Sequence, residues 1–399
     1  MNILYLHQYF NTPKMPGSTR SYEFAKHLVG KGHNVYMITS NWQNKSKEKF
    51  SIEDGINVFW APIFYSNKMG FMSRIKSYLY FILYILKVGR DLNFDFIIAS
   101  STPLTIGIPA LIYKKIRSVN FIFEVRDVWP QIPIDMGFLK SKFLIYLAKS
   151  LEKSIYKNSV KIIALSDGMK KEILKVIPNS NKVNVITNFS DIKSFYLGKE
   201  HGLYFKKKKL KLGKSPLIVY AGSLGRINNV NYILDIAKES NEKSSEIKFL
   251  IAGDGFQKKL ILSRAKDLGL LNKNFFLFDY FSKKHLPVVL SSATIVSSFF
   301  IDLPSMRNNS ANKFFDALAA GKPIMLNYGG WQSQLIKQTN AGFVIPNNDP
   351  KLAFSIIKEV VFNHQKITLM SKMSKKLSER FSLESCLNKF EKIINETIS

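Results

Sequence analysis

A single cysteine, Cys386, in 399 residues excludes an intramolecular disulfide. No cluster of further ligands surrounds it, so a sulfur-bound metal is not expected, and a reducing compartment suits the composition. Long apolar runs are also missing. None reaches the roughly 18 residues of a membrane span, and the first residues read as a strand rather than a secretory signal. The longest apolar stretch, residues 78–86 (YLYFILYIL), lies between Arg74, Lys76, Lys87 and Arg90. It is either a buried helix of the first domain or a segment that rests on a bilayer surface. Acidic residues are scarce, 29 against 58 basic, for a net charge of +29. The excess is spread over both halves, so there is no basic tail. It suits anionic lipid, phosphorylated substrates or nucleic acid, and the abundance of Lys, Asn and Ile also fits a compositional bias. No Arg-rich or aromatic-laced base-reading element is present, so nucleic acid is not expected as a partner.

Two phosphate-binding signatures are absent as well. No G-x-G-x-x-G follows the first strand, where only Gly17 is in reach, and there is no Walker A sequence. Nicotinamide, flavin and P-loop chemistry are therefore not expected.

What is present is a repeated rhythm. Short apolar runs at 2–7, 35–39, 58–61, 96–100, 121–125, 161–165 and 183–186 alternate with helical stretches such as 20–28, 105–116 and 143–156. After a break, strands are expected at 217–221, 248–252, 275–278, 294–297, 324–326 and 343–345. Helices are expected between them, with one or two more in the tail. Apolar runs alternating with helices predict parallel α/β sheets, and the length suits two domains. The reading is an α/β chain of two tandem Rossmann-like domains with parallel sheets facing a central cleft. The first spans 1–200, a linker 201–216, the second 217–375, and a C-terminal helix 376–399 that packs back on the first domain. The Lys206–Lys209 run reads as a solvated loop or a phosphate- or lipid-facing patch.

The second domain carries three small-residue strand ends. Residues 217–221 run into Gly222-Ser223-Leu224-Gly225-Arg226, and 248–252 into Gly253-Asp254-Gly255. Such turns let a diphosphate approach the backbone, with a helix N-terminus behind it, although any one of them also fits a plain β-α turn. The third is NNSANKFFDALAAGKP, where Ser310, Ala311 and Asn312 precede a helix and Lys313 sits in its first turn. A cation there is unfavourable unless an anion joins it. Asp316 follows one turn later, where its carboxylate can accept two ribose hydroxyls.

These segments together resemble glycosyltransferase family 4, a GT-B family. The resemblance runs through HQYF and GSTRSYEFAKHLVGKGHNVYMIT (17–39), EVRDVWP (124–130), ALSDGMKKEIL (164–174), ITNFSD (186–191), YAGSLG (220–225), IAGDG (251–255) and NSANKFFDALAAGKPI (309–324). It is similar to the WbuB-like subgroup of bacterial surface-polysaccharide transferases. The resemblance implies retaining transfer from a UDP-sugar of the N-acetylfucosamine or quinovosamine type, with no cofactor and no metal. In keeping with this, no two aspartates stand two residues apart. It further implies a polyprenyl-diphosphate-linked saccharide acceptor in O-antigen or capsule synthesis, at the inner face of the cytoplasmic membrane.

By the same resemblance, Gly222, Ser223, Arg226, Gly253, Asp254, Gly255, Tyr280, Ser310, Asn312, Lys313 and Asp316 hold the donor nucleotide. Asn308, Asn309 and Ala311 meet the donor sugar. The family's paired diphosphate Arg and Lys are replaced here by Ser223 and Asn228 or Asn229, with Arg226 and Lys313 as substitutes. Its two glutamates spaced by seven become Asn308 and Asp316. Arg126 and Asp127 fall at the catalytic position. An arginine cannot act as a base, so Asp127 is the candidate facing the acceptor hydroxyl or developing positive charge. A carboxylate paired with Arg126 or capping a helix is the alternative. In a continuing strand Glu124 shares a face with Arg126. Gly17, Ser18, Arg20 and Trp129 are assigned to the acceptor, with core packing open for Trp129, and His7 reads as a satisfied core histidine or a site residue. Two rival functions remain at this point, a GT-B-fold UDP-sugar 2-epimerase and a non-catalytic basic membrane- or polyanion-binding protein.

Overall fold

A computed structural model describes residues 1–41, 49–64 and 69–398. They form two compact units, 1–12 with 18–187 and 386–399, and 13–17 with 188–385.

The first unit is built on β1 (Asn2–Leu6), β2 (Asn34–Ser40), β3 (Phe50–Glu53), β4 (Ile56–Ala61), β5 (Phe96–Ser100), β6 (Asn120–Val125), β7 (Lys161–Ala164) and β8 (Val183–Val185). Their order in the sheet is β3-β4-β2-β1-β5-β6-β7-β8. Every pairing is parallel except β3 with β4. The central strands are covered on both faces, which is why β5 is buried along its whole length and reads as an unbroken apolar run. The apolar rhythm missed β3 because its burial alternates and its length is four residues. Asp54 and Gly55, both at positive φ, close the two-residue hairpin into β4. That Asp-Gly pair was the available signal.

The second unit carries β9 (Leu217–Ala221), β10 (Lys248–Ala252), β11 (Phe275–Phe278), β12 (Ile295–Ser298), β13 (Ile324–Leu326) and β14 (Gly342–Val344), all parallel. Their order, β11-β10-β9-β12-β13-β14, is that of a dinucleotide-type Rossmann sheet, with its direction of winding reversing between β9 and β12. Ligands of such sheets bind outside the carboxyl ends of the strands at that reversal. The equivalent reversal in the first unit lies between β1 and β5.

Three boundaries differ from the sequence reading. The first unit ends at Thr187, not 200. Asn188 donates to the carbonyl of Ser310 (2.6 Å) and Ser190 to that of Phe315 (2.9 Å), which binds this segment into the second unit. Residues 201–216 are not a linker. The helix Lys199–Phe205 continues into a helical turn at Lys206–Leu210, with Phe205, Lys206 and Leu210 buried. Gly202 lets the helix pass against the backbone of Ser291, where a Cβ would stand 2.4 Å away. Lys207, Lys208 and Lys209 are exposed. Finally, the last helix begins at Leu383, because residues to Arg380 belong to the preceding helix His364–Arg380. From Cys386 onward it belongs to the first unit. Phe390 stacks on Phe24 at 4.3 Å, and Glu391 pairs with His27 and Lys31.

Arg20 ties the first unit's centre together. It is fully buried at the head of the helix Arg20–Gly30, and its Nε donates to Glu124 at 2.8 Å. Its remaining nitrogens donate to the carbonyls of Ile186 and Thr187, and its plane lies over Phe24. The second oxygen of Glu124 accepts from Ser100. Burial pushes the Glu124 carboxyl up, but Arg20, Arg126 and the Ser100 hydroxyl outweigh it and hold it below the ordinary carboxylate range. Removing one partner strands a buried charge. Arg20→Met should therefore cost about 3–5 kcal/mol in urea unfolding, and Arg20→Met/Glu124→Met should cost less than Arg20→Met alone. Because the folded pKa of Glu124 is depressed, its contribution is complete above the unfolded carboxylate range and fades as pH falls through the folded value. Wild-type stability should show that acid-side loss and the double variant should not.

Candidate active site

The reversal of the second sheet is occupied by a cation. Lys313 stands in the first turn of the helix Asn312–Ala319, and its stem crosses the end of β9. A Cβ on Gly222 would lie 2.2 Å from its Cε, so the absence of a side chain at 222 is what lets the lysine lie there. Its Nζ sits 5.1 Å from the ring centre of Tyr220, on β9, and 5.6 Å from that of Phe300, just past β12. Among the described residues it makes no hydrogen bond or salt bridge. Burial pushes its ammonium down to about 8, with Asp316 pulling the other way. The same helix starts without a side-chain cap, so its positive end and the lysine face the same place.

Asp316, one turn further on, is buried and pairs with Lys283 at 2.6 Å. Lys283 in turn lies over Phe195. Burial raises the Asp316 carboxyl, Lys283 and Lys313 lower it, and Asp191 adds to the rise. Lys283 was not anticipated. It belongs to a loop in the sequence run SKKH, where one lysine among many carries no pattern.

The glycine turns pack closely against one another, and part of their amides is spent between them. The amide of Gly222 donates to Ala252 and that of Leu224 to Asp254, both at 2.9 Å, so two of the expected phosphate donors are spent on the neighbouring turn. A Cβ on Gly253 would stand 1.9 Å from the carbonyl oxygen of Gly222, and one on Gly255 would meet the backbone of Leu224. Tyr280 joins the turns: its hydroxyl bonds the Ser223 hydroxyl and the Asp254 carbonyl, each at 3.0 Å. Arg226 is exposed and stacks on Phe256 at 5.2 Å. Ser310 is occupied by Asn188 through both hydroxyl and carbonyl. Asn309 accepts from the Ser310 amide through its side chain and from Trp331 through its carbonyl. Asn308 ends the turn Pro304–Asn308, and Ala311 is buried ahead of the helix. Lys313, Asp316, Tyr280 and Ser223 therefore gather around the β9 end, whereas Ser310 and the side chain of Asn309 serve the local fold.

In the first unit, the ends of β1, β5 and β6 bring His7, Thr102, Arg126 and Asp127 together. Arg126 Nη1 lies 2.9 Å from His7 Nε2, and His7 Nδ1 lies 2.7 Å from Ser21 Oγ. Arginine only donates, so Nε2 must be the acceptor and Nδ1 carries the proton. Burial and Arg126 both depress the imidazole well below its usual range, so it stays neutral. Asp127 does not pair with Arg126. It accepts from Thr102 at 2.9 Å, and burial raises its carboxyl.

Of the residues assigned to the acceptor, Arg20 is corrected outright: it is sealed in the Glu124 network described above. Trp129 is partly buried and packs against the core of the unit. Ser18 bonds locally, its hydroxyl to the Arg20 amide and its carbonyl to Asn11. Gly17, at φ +114°, falls with residues 13–17 in the second unit. Among the described residues no group of three or more His, Cys, Asp or Glu side chains is placed to hold a metal.

Residues 17–194 match the profile of Glycosyltransferase Family 4, and residues 204–380 that of Glycosyl transferases group 1. A 2-deoxystreptamine N-acetyl-D-glucosaminyltransferase from Niallia circulans is 24% identical over 262 residues, 62% of each chain. The match thus spans less than two thirds of that relative. An uncharacterized glycosyltransferase of Methanocaldococcus jannaschii is 22% identical over 94% of each chain. Sucrose-phosphate synthase from Thermosynechococcus elongatus superposes with a TM-score of 0.79 at 14% identity, covering 100% of this chain and 99% of that one. Anabaena HepE in complex with UDP and glucose gives 0.73 at 14%, covering 99% and 100%. WaaG, a glycosyltransferase involved in lipopolysaccharide biosynthesis, gives 0.72 at 14%, covering 98% and 99%. With a glycosyltransferase profile matched by each half and a GT-B architecture in its structural neighbours, the chain belongs to the GT-B glycosyltransferases of family 4.

Proposed function

We propose that this protein transfers a sugar from a UDP-linked donor, without a metal, with the second unit holding the nucleotide. The observation that carries the reading is the Lys313 ammonium, largely buried across Gly222 at the β9–β12 reversal, beside an uncapped helix end and with no protein anion bonded to it. A diphosphate supplies the missing charge. As the sugar departs, negative charge grows on that diphosphate, and a fixed ammonium and helix terminus stabilise it where a metal otherwise would. Asp316, with Lys283 beside it, accepts the ribose hydroxyls. Asp127, its carboxyl raised by burial, faces the acceptor hydroxyl. A complex of HepE with UDP and glucose among the similar folds is in keeping with a UDP-sugar.

The finer assignment follows the subgroup resemblance. The transfer is retaining, the sugar an N-acetyl amino-deoxyhexose, and the acceptor a polyprenyl-diphosphate-linked saccharide for O-antigen or capsule, handled at the inner membrane face. The N-acetylglucosaminyl transfer in the name of the Niallia circulans relative supports an amino-sugar donor. A radiolabelled transfer assay, scored for lipid-linked product and for epimerised donor without acceptor, tests both the transfer and its rival.

Lys313→Met and Asp316→Ala should each reduce transfer at least tenfold, since a charge-assisted bond contributes about 1.5–3 kcal/mol. Lys313→Met should also leave the melting temperature of the unliganded protein unchanged or higher, because it removes a desolvated cation, while abolishing the stabilisation by UDP. A UDP-induced shift retained in Lys313→Met would remove the diphosphate site.

Lys313 also sets a pH dependence. Its ammonium is present below about 8 and is lost as pH rises through that value. UDP affinity by calorimetry should be flat on the acid side of this point. Above it, affinity should weaken by up to about tenfold per pH unit, and Lys313→Met should show no such slope.

Gly222→Ala separates site from fold. The added methyl meets the far end of a flexible lysine, not backbone, so the variant should fold normally by circular dichroism yet bind UDP at least about tenfold more weakly. Wild-type affinity in Gly222→Ala would show that the lysine has no need of that position.

A further inference from the structure

We infer that one face of the first unit is a docking surface for an anionic lipid bilayer. The face is a layer of three helices, Phe71–Arg90, Gly107–Arg117 and Lys142–Asn158. The middle helix is bonded to both neighbours: the Tyr113 hydroxyl donates to the carbonyl of Ile85 and Lys114 Nζ to that of Asn158.

The inner side of this layer is an ordinary core, with Phe81, Ile85, Tyr113, Ile155 and Tyr156 buried. The outer side is not an ordinary surface. On Phe71–Arg90 the exposed positions 72, 76, 79, 80, 83 and 87 recur at helical spacing, and Met72, Leu79, Tyr80 and Leu83 among them are apolar. On Lys142–Asn158 the first two turns project into solvent on nearly every side. They carry Phe143 at 67% exposure and Tyr146 at 69%, with Leu144 and Leu147 beside them and Phe138 just ahead. The sequence stretch 78–86 is thus both a core helix and, through its outer positions, part of this face.

The charge on the layer has one sign. Its three helices contain eleven Lys and Arg residues and a single carboxylate, Glu152, which is buried. Lys76 and Lys87 flank the apolar positions of the first helix, and Lys142 and Lys149 those of the last, all four exposed. Aromatic and aliphatic side chains interleaved with exposed lysines match the boundary between acyl chains and anionic head groups. A second copy of the same face would bring lysine against lysine, and a nucleic acid would leave Leu79, Leu83 and Leu147 without a partner. No helix of the described residues is long and apolar enough to cross a membrane, so the contact is one of docking. The inference stands on this surface alone and does not rest on the donor site.

Co-sedimentation of the full chain with vesicles of phosphatidylcholine, and with vesicles containing phosphatidylglycerol, tests it. Binding is expected to the anionic vesicles and to weaken with salt. Tyr80→Ser/Leu83→Ser/Phe143→Ser/Tyr146→Ser should lower it at least about tenfold, and Lys142→Glu/Lys149→Glu should remove the preference for the anionic lipid. Both variants change exposed positions only, so melting temperature and UDP-induced stabilisation should match wild type, which separates this face from the nucleotide site. Absence of vesicle binding by the wild-type chain would overturn the proposal. So would conversion of a dimer to a monomer by the serine variant, or competition by duplex nucleic acid with no effect of the serine changes.

Discussion

The second unit is organised around a cation to which, among the described residues, no carboxylate is bonded. Burying an ammonium without a bonded partner is unfavourable, and the sequence around Lys313 accepts that cost at several positions at once. Gly222 clears the path of its stem. Tyr220 and Phe300 give its charge aromatic surface rather than oxygen ligands. The carboxylate that acts on it, Asp316, is bonded to a different lysine, Lys283. The helix that carries Lys313 adds its positive end to the same place instead of opposing it. Each feature has a local explanation, but only an anion reconciles all four. Gly253 and Gly255 contribute indirectly: by letting the β10 turn close against the β9 turn, they hold Gly222 where the lysine needs it.

The corresponding region of the first unit solves the opposite problem. There, the charge of Arg20 is met by a bonded carboxylate. Arg20 meets Glu124 and two carbonyls, Glu124 meets Ser100, and Arg126 meets a neutral His7 whose other nitrogen is held by Ser21. What it leaves at the end of β6 is Asp127, a carboxyl raised by burial and bonded to a hydroxyl rather than to a cation. A group of that kind suits a proton or a hydroxyl better than a phosphate. The proposed division, nucleotide at one sheet and hydroxyl chemistry at the other, follows this contrast between Lys313 and Asp127.

The strands and helices were legible because central strands of covered parallel sheets must be apolar throughout, and every one of them is short and bounded by helical periodicity. The position of Lys313 in the first turn of a helix, where a cation is out of place, was legible too. What could not be read were relations between distant segments. Arg20 stands beside glycine and serine and looks like an anion ligand, and only the positions of Glu124 and of the carbonyls of Ile186 and Thr187 turn it into a core clamp. Lys283 looks like its neighbour Lys284 until Asp316 is beside it. The run at 206–209 looks like a solvated linker, yet its first member is buried and its helix is fastened by Gly202, a contact with Ser291 that no local pattern records. The glycine turns show the same limit: the amides of Gly222, Leu224 and Gly253 bond across to the next strand end.

The identity of the cation also follows from its environment. At position 313 an arginine would keep its full charge at any physiological pH and with it the whole desolvation penalty in the unliganded protein. Lysine need not. With its ammonium pushed down to about 8, the free protein sheds part of the penalty by releasing the proton in a fraction of molecules, and an arriving diphosphate restores it. A diphosphate bound as proposed would therefore couple its binding to proton uptake. Where the resemblance would place an arginine on the diphosphate, this chain has Ser223, without a permanent charge. In the proposed site, one titratable cation plus a helix terminus holds the leaving diphosphate.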